Sequence, residues 1–157
     1  MKKINLSGKH KLQAIVDNDD YEYLSFFDWY AIETNGKFYA VRSEKRSIIF
    51  MHRVIMKTPE KLVVDHKDGN GLNNQKSNIR NCTIQQNCMN RSLRSDSKTG
   101  YKGVSKTKRG WKARVFHGKK TIYNKTFNNI EDAIKAYKEA AKKAFGDFAK
   151  EDSAMNL

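Results

Sequence analysis

Residues 67–78 restrict the fold most, because this segment follows a short apolar run and carries two glycines and four asparagines. Glycine and asparagine favour turns and are poor strand formers, so the segment predicts a loop rather than a continued strand. Asp65 and His66 lie where the apolar strand predicted over residues 62–64 ends. Neighbouring side chains on a regular strand point to opposite faces, so this pair can share a site only where the chain bends.

The Asp65-His66 pair has the chemistry for cleaving a phosphodiester with one divalent metal ion. A carboxylate can hold a hard cation, a neutral imidazole can take a proton from water, and the metal can stabilise the leaving oxygen. One carboxylate binds magnesium weakly, so a second oxygen ligand is needed, and Asn87 on the following predicted helix is a candidate. Asp-His pairs are common and Asn-rich loops are usually only turns, so these residues alone leave a structural role open.

The charge of the chain is one-sided, with 31 Lys and Arg against 17 Asp and Glu and a formal net charge of +14. Residues 98–125 hold 10 basic residues and no acidic one. Like charges repel, and a polyanionic partner removes that cost through counterion release. The pattern favours nucleic-acid binding over a merely basic surface, and the lack of amphipathic helical spacing in the basic run argues against a membrane surface.

Length and composition exclude several other classes of protein. A chain of 157 residues with 38% hydrophobic residues can build one medium domain or two to three small ones. No run of about 18 apolar residues predicts a transmembrane helix, and the polar start predicts no signal peptide. Cys82 and Cys88 match no zinc-ligand spacing and are too few for a disulfide framework, which favours free thiols in a reducing cytoplasm.

The first half of the chain predicts mostly strands. Residues 1–50 contain short alternating apolar stretches, and Asn35-Gly36 between two apolar runs is typical of a hairpin turn. A further apolar strand is predicted over residues 48–51. It continues into the next residues until Pro59, which should break the element.

The last third predicts a sheet covered by one helix. Residues 94–100 are polar and predict a linker, and three short strands with turns between them follow. The final element has the apolar stripe of an amphipathic helix, with Gly146 at its expected stop. A three-stranded sheet needs cover on one face, and this helix can supply it, which leaves the basic residues on the other face.

Residues 51–92 resemble the HNH endonuclease family, and within it the phage and intron-associated homing-endonuclease branch. The resemblance is carried by Val64-Asp65-His66-Lys67-Asp68-Gly69-Asn70, Asn73-Asn74, Ser77-Asn78-Ile79-Arg80-Asn81-Cys82-Thr83 and Asn87. The family implies a ββα-metal fold, in which two strands and a helix surround one divalent ion.

The same resemblance implies a role for each of four residues. His66 is then the general base that activates water, and Asp65 is a metal ligand. Asn78 braces the loop and holds the catalytic imidazole in place. Asn87 is the second metal ligand, at a position where the namesake of the family has histidine and the homing branch commonly has asparagine. Its oxygen favours Mg²⁺, or Mn²⁺, over zinc.

A His52-Arg53 element upstream recurs in that branch as well. It suggests that Arg53 clamps a phosphate of the DNA. His52 either supports the site or is only packed and hydrogen-bonded.

Residues 100–149 are similar to the AP2 DNA-binding domain, whose three-stranded sheet lies in the DNA major groove and is backed by one helix. The similarity is carried by Tyr101-Lys102-Gly103-Val104-Ser105, Gly110-Trp111-Lys112-Ala113-Arg114, Thr126-Phe127, Ala133, Tyr137 and Phe145-Gly146. It implies that Lys102, Trp111 and Arg114 touch DNA, with a core position as the alternative for Trp111. Further basic residues are candidates for phosphate contacts: Lys106, Lys108, Arg109, Lys112, Lys119 and Lys120.

This resemblance does not carry the family's sequence preference with it. Lys102 stands where plant members usually have arginine, and lysine reads guanine less specifically than a bidentate arginine does.

These observations predict an α+β chain with four parts. Residues 1–50 form a β-rich region packing on the nuclease, residues 51–93 the HNH domain, 94–100 the linker and 101–157 the AP2-like domain. The expected function is a Mg²⁺-dependent endonuclease that nicks or cuts double-stranded DNA. It would act as a monomer or weak dimer in the cytoplasm of a bacterial or phage-infected cell. The alternative is a non-catalytic DNA-binding regulator with a decayed nuclease fold, and an RNA-binding protein has little support beyond charge.

Overall fold

The computed structural model describes residues 1–90, 93 and 99–149. The chain divides into two compact units, Met1–Asn87 and Cys88–Leu157. Most of the predicted linker, residues 94–98, and the last eight residues of the predicted AP2-like domain lie outside the described residues. Within the described part, no helix is long and apolar enough to span a membrane.

The first unit is a mixed α/β arrangement of small antiparallel sheets. Its strands pair as β1 with β2, β3 with β4 and β5, and β6 with β7. In chain order the elements are β1 Lys2–Asn5, β2 Gln13–Val16, α1 Asn18–Ser25, β3 Tyr30–Thr34, β4 Lys37–Glu44, β5 Ser47–Phe50, α2 Met51–Met56, β6 Val63–His66, β7 Ile79–Cys82 and α3 Ile84–Met89. The boundary between the two units falls within α3.

The hairpin predicted at Asn35-Gly36 joins β3 to β4, with Thr34 opposite Lys37. Both turn residues have positive φ, 53° for Asn35 and 72° for Gly36. Two-residue hairpins need this left-handed backbone to match the twist of their strands, and asparagine and glycine adopt it at the lowest cost.

The prediction of an apolar strand over residues 48–51 was wrong at residue 51. The predicted continuation of this strand into the next residues was wrong as well. The strand β5 ends at Phe50, and Met51 begins the helix α2. Met51, Val54 and Ile55 have helical spacing and pack together into the core of the first unit. A continuous apolar run fits a strand or a buried helix equally well, so only packing decides between them.

The core of the first unit is built mainly from its N-terminal part. Trp29, Leu24 and Met51 are fully buried there. The Trp29 indole N–H donates to the Leu24 carbonyl at 2.7 Å, so this large ring is buried without an unsatisfied donor.

The second unit contains a three-stranded antiparallel sheet in the order β10 (Lys120–Phe127), β9 (Gly110–His117) and β8 (Val104–Thr107), with a helix packed on one face. Buried Val104 and Ala113 of the sheet meet Ala133 of the helix. Asn129 caps the helix by accepting from the Asp132 N–H at 2.8 Å. The elements are β8 Val104–Thr107, β9 Gly110–His117, β10 Lys120–Phe127, α4 Ile130–Phe145 and a 3₁₀ turn Gly146–Phe148.

Candidate active site

Asp65 and His66 are the last two residues of β6, and both lie inside its ladder with β7. The sequence predicted that the strand ends before them, but Asp65 is paired with Arg80 and His66 with Ile79. Both are nevertheless buried, with exposed fractions of 3% and 7%. Because neighbouring strand residues face opposite sides, both faces of β6 are covered at this point. The pair is therefore held by packing on two sides rather than by a bend in the strand.

Arg80 neutralises the buried Asp65 carboxylate from the neighbouring strand. Its Nε and Nη2 atoms both donate to Asp65 Oδ2, at 2.9 and 2.8 Å. A buried ion pair that loses one partner is destabilised by about 3–5 kcal/mol, because the remaining charge is left uncompensated. The cross-strand register of β6 and β7 thus explains how a carboxylate can stay buried here, and the sequence did not indicate this pairing for Arg80.

Asn74 is hydrogen-bonded to the His66 imidazole. The distance from His66 Nε2 to Asn74 Oδ1 is 3.1 Å. Asn74 has an exposed fraction of 0% and belongs to the loop that follows β6. Its Nδ2 lies 3.5 Å from Met51 Sδ and 3.4 Å from the Leu72 carbonyl oxygen. The loop therefore returns to the strand that precedes it and fixes one edge of the imidazole ring.

Asn78 closes the loop at its base and makes its side-chain hydrogen bonds there. Its Nδ2 donates to Asp68 Oδ1 at 3.0 Å and to the Asn73 carbonyl at 2.8 Å, and its Oδ1 accepts from the Asp68 N–H at 3.1 Å. These contacts support a bracing role for Asn78 in the loop. Its predicted role in holding the imidazole in place stays a prediction.

Asp68 is a second carboxylate near the site, and it is used inside the loop. Its oxygens accept from the Asn70 N–H at 2.8 Å and from Asn73 Nδ2 at 2.8 Å, in addition to Asn78. Burial alone would raise the pKa of Asp68, but these hydrogen bonds outweigh it and hold the pKa below its ordinary value. The loop is thus organised around an ionised carboxylate.

The N-terminal region anchors the same loop from the other side. The Ile15 N–H of β2 donates to the Leu72 carbonyl, and the Asn74 N–H donates to the Ile15 carbonyl, both at 2.8 Å. Asp17 accepts from the Lys76 N–H at 2.7 Å. Residues 1–50 had no assigned role beyond folding and packing on the nuclease, and these long-range bonds give them one: they hold the loop that holds His66.

Gly71 marks a second close contact between the loop and the N-terminal region. A Cβ at this position would lie 2.4 Å from the Phe38 carbonyl oxygen and 2.6 Å from the Tyr39 ring. Only glycine allows this approach of loop and β4. The contact brings Tyr39 beside the site, with its ring centroid 6.0 Å from that of His66.

Aromatic rings surround the His66 imidazole. His52 lies edge-on to it with centroids 5.1 Å apart, and Phe50 stacks on His52 at 5.1 Å with an interplanar angle of 28°. Burial lowers the pKa of His66 below its ordinary value, although the Asn74 hydrogen bond and nearby Asp68 and Asp65 oppose this effect. At neutral pH the imidazole is therefore uncharged, which is the form that can accept a proton.

His52 packs in the site without a partner for one of its ring nitrogens. Its exposed fraction is 8%, and its Nδ1 is buried with no hydrogen-bond partner among the described residues. Burial, together with the nearby His66 and Arg53, lowers the pKa of His52 to about 3. His52 is therefore packed against His66 with Nδ1 unbonded among the described residues, and its supporting role in the site stays a prediction.

We predict that the low pKa of His52 makes the protein less stable in acid. Between pH 6.5, its ordinary pKa, and about 3, the unfolded chain binds a proton here that the folded chain does not. Stability therefore falls as the pH falls, by about 1.4 kcal/mol per pH unit, or about 2 kcal/mol from pH 7 to 5. Urea unfolding at several pH values will show a smaller slope for His52→Phe. The exposed His117 gives the control His117→Gln, and an unchanged slope in His52→Phe would contradict the prediction.

Arg53 follows His52 on α2, and its guanidinium group binds backbone carbonyls. Nη1 donates to Leu62 at 2.9 Å, and Nη2 lies 3.2 Å from the carbonyl oxygens of Thr58 and Pro59. These bonds hold the turn between α2 and β6. The phosphate contact of Arg53 stays a prediction. It would have to use guanidinium N–H groups that do not bind these backbone carbonyls.

Asn87 lies on α3, directly after β7. The helix begins with a capping box, since Thr83 Oγ1 accepts from the Gln86 N–H at 3.2 Å and Gln86 Oε1 accepts from the Thr83 N–H at 2.9 Å. The Asn87 N–H then donates to the Thr83 carbonyl at 3.0 Å. The strands β6 and β7 and the helix α3 thus follow one another along the chain. Asn87 lies on the helix that comes directly after β7, the partner strand of β6.

The two predicted metal ligands are the Asp65 carboxylate and the Asn87 carboxamide. Oxygen ligands of this kind would suit a hard divalent cation such as Mg²⁺ or Mn²⁺. No group of three or more His, Cys, Asp or Glu side chains that could hold a metal occurs in the part of the chain that the structure describes. A metal here would therefore take the rest of its oxygen shell from water and substrate. Arg80 already binds Asp65 Oδ2, so the cation would share this carboxylate with a guanidinium group.

In the second unit, the sheet face opposite α4 is called the outer face. Strand alternation and register place on it Ser105, Lys112, Arg114, Phe116, Asn124 and Thr126. Arg114 is exposed, and its guanidinium carbon lies 5.6 Å from the Phe116 ring centroid. Five of these six side chains are polar or basic and Phe116 is apolar, so two of the basic candidates, Lys112 and Arg114, lie on this face.

The other predicted DNA contacts fall outside the outer face. Trp111 alternates with Arg114 and packs, partly buried, against the core under α4, which fits its core alternative. Its DNA contact stays a prediction. Lys106 pairs with Trp111 in register and lies on the helix side, exposed. Lys102 donates through Nζ to the Met89 carbonyl at 2.6 Å. The remaining basic candidates are exposed in or beside the two hairpin turns: Lys108, Arg109, Lys119 and Lys120.

Comparison with known proteins gives one family and one relative. Residues 50–89 match the family described as HNH endonuclease. Over 138 residues the chain is 32% identical to a protein of Acanthamoeba polyphaga mimivirus named "Uncharacterized HNH endonuclease L560", covering 87% of this chain and 72% of that protein. No solved structure matches the chain. The similarity to the viral protein extends well beyond the segment that carries Asp65, His66, Asn78 and Asn87.

Proposed function

This chain belongs to the HNH endonuclease family, and we propose that it is a metal-dependent endonuclease that hydrolyses phosphodiester bonds in double-stranded DNA. The observation that carries the proposal is the neutral, buried His66 imidazole, fixed by Asn74 and adjacent in the chain to the Asp65 carboxylate. An imidazole that can accept a proton and a carboxylate that can hold a metal ion are the two groups that this hydrolysis requires.

In the proposed mechanism, His66 takes a proton from the water that attacks phosphorus in line. Asn74 and the rings of His52 and Tyr39 keep the imidazole in one orientation during this transfer. The covered faces of β6 keep bulk water away from the base, which strengthens its interaction with nearby charges.

Asp65 and Asn87 would hold the divalent ion, with Mg²⁺ as the proposed metal and Mn²⁺ as its substitute. The bound ion would stabilise the negative charge on the leaving 3′ oxygen. Arg80 holds the Asp65 carboxylate in place for this purpose through its two hydrogen bonds.

We further propose that the second unit holds the DNA through an AP2-like sheet. Support comes from the order of three strands and one helix, and from the basic and polar side chains of the outer face. Lys112 and Arg114 would contact DNA from that face, and the turn residues Arg109, Lys119 and Lys120 would contact phosphates. Asn87 in place of the namesake histidine supports a kinship with the homing-endonuclease branch.

The test is cleavage of supercoiled plasmid DNA by the full chain with Mg²⁺ or Mn²⁺. We expect conversion to nicked or linear DNA that stops with EDTA, and a loss of at least about hundredfold in Asp65→Asn. Asp28→Asn, which removes an exposed carboxylate of the same unit, is the matched control. DNA binding without cleavage under any of these metal conditions would favour the non-catalytic regulator instead.

A further inference from the structure

We propose that Asn74 fixes the tautomer of His66 with the proton on Nε2, so that Nδ1 is the atom that takes the proton from water. The catalytic part of this inference rests on the proposed function. The tautomer itself is a property of the folded protein that can be measured without any cleavage. Asn74 would then be a positioning residue, acting on the reaction through His66.

The direction of the Asn74 amide is set by what faces its nitrogen. Asn74 Nδ2 lies 3.4 Å from the Leu72 carbonyl oxygen and 3.5 Å from Met51 Sδ, and both atoms are hydrogen-bond acceptors only. A flipped amide would turn its oxygen toward these two acceptors and lose both contacts. The network therefore assigns the amide oxygen to the His66 side.

That assignment decides which imidazole nitrogen carries the proton. Asn74 Oδ1 can accept but cannot donate, and it lies 3.1 Å from His66 Nε2. The hydrogen bond exists only if Nε2 is the donor. In the neutral ring the lone pair is then on Nδ1, which leaves that nitrogen as the base.

The surrounding structure prevents Asn74 and the ring from rearranging. Asn74 is fully buried, and its backbone N–H is bonded to the Ile15 carbonyl of β2 at 2.8 Å. The rings of His52 and Tyr39 pack edge-on against His66, with centroids 5.1 and 6.0 Å away. A rotated imidazole would place carbon against the Asn74 oxygen and leave that buried acceptor without its bond, which is unfavourable.

The experiment is ¹⁵N NMR of the full chain labelled at its four histidines, at a pH where the buried imidazoles are neutral. The His66 signals are assigned by their loss in His66→Gln. We expect Nδ1 to resonate as an unprotonated nitrogen and Nε2 as a protonated one. A protonated Nδ1, or an even mixture of tautomers, in the wild type would overturn the proposal.

Two variants separate positioning from simple packing. Asn74→Asp keeps an acceptor at the same place, so the Nε2–H tautomer should persist. Asn74→Leu removes the acceptor at similar volume, so the spectrum should shift to mixed tautomers. We expect the cleavage rate constant of Asn74→Leu to fall about 10- to 100-fold with little change in KM. Should Asn74→Leu not fold, the wild-type and Asn74→Asp spectra still decide the tautomer.

The two proposals can fail separately. A wild-type protein that shows the Nε2–H tautomer but never cleaves DNA would overturn the proposed endonuclease and leave the tautomer assignment standing. Cleavage by a protein with the proton on Nδ1 would keep the endonuclease and overturn the role of Asn74.

Discussion

Replacing His66 by alanine is expected to slow Mg²⁺-dependent DNA cleavage by about 10²–10⁴-fold, the range that a general base contributes. His66→Gln should lose as much, although its amide can still donate to Asn74, because it cannot take a proton from water. DNA affinity should change little in either variant, since the basic candidates for DNA contact are concentrated in the second unit and His66 is buried in the first. Single-turnover cleavage of a labelled duplex, with binding measured in Ca²⁺, separates the two quantities.

His10→Ala is the matched control for these variants. His10 is a half-buried histidine of the same unit, with its ring 4.9 Å from that of Phe38. Its loss should leave cleavage within a few fold of wild type. Rates near the wild-type value for both His66→Ala and His66→Gln, in protein whose thermal unfolding shows a native fold, would remove His66 from the reaction.

Local elements of this fold could be predicted because their signals lie within a few residues. The hairpin at Asn35-Gly36 follows from two residues that accept positive φ. The start of α3 follows from Thr83, and the apolar stripe of α4 follows from its own periodicity. In each case the preference of the backbone and the final packing agree.

The residues that surround the imidazole could not be predicted in the same way, because their contacts join distant parts of the chain. The bond from Asn74 to Ile15 depends on how β2 lies against the loop. Arg80 meets Asp65 only because the register of β6 and β7 places the two residues opposite each other on the same face of the sheet. A register shift of one residue would turn the Arg80 side chain to the other face. Asn74 stood within the motif, but nothing in its spacing separated it from the other asparagines of the loop.

Strand parity explains why the sequence left both a DNA contact and a core position open for Trp111. A strand of eight residues with apolar side chains on both faces has no unique inward side. Trp111 shares parity with buried Ala113 and Val115, while exposed Phe116 shares parity with Arg114. The two small buried residues, rather than the large aromatic ones, mark the face under α4.

Removing four basic residues from the second unit is expected to weaken DNA binding by about 10³-fold near 0.1 M salt. The variant is Lys112→Ala, Arg114→Ala, Lys119→Ala and Lys120→Ala, two residues of the outer face and two of the adjacent hairpin turn. Each phosphate contact contributes about 0.9 to the slope of log affinity against log salt concentration. The slope should therefore fall by about 3 to 4 if all four side chains meet phosphates, and by less if Arg114 reads a base.

Four lysines of α4 provide a control with the same loss of charge. They are exposed, and the helix lies on the sheet face away from the outer face: Lys135, Lys138, Lys142 and Lys143. A general attraction between a basic protein and DNA would respond equally to both sets, whereas a defined contact surface responds mainly to the first. Equal losses of affinity and slope would therefore contradict the outer face as the DNA-binding surface. At saturating DNA the outer-face variant should still cleave at the wild-type rate, because its substitutions leave His66 and its contacts unchanged.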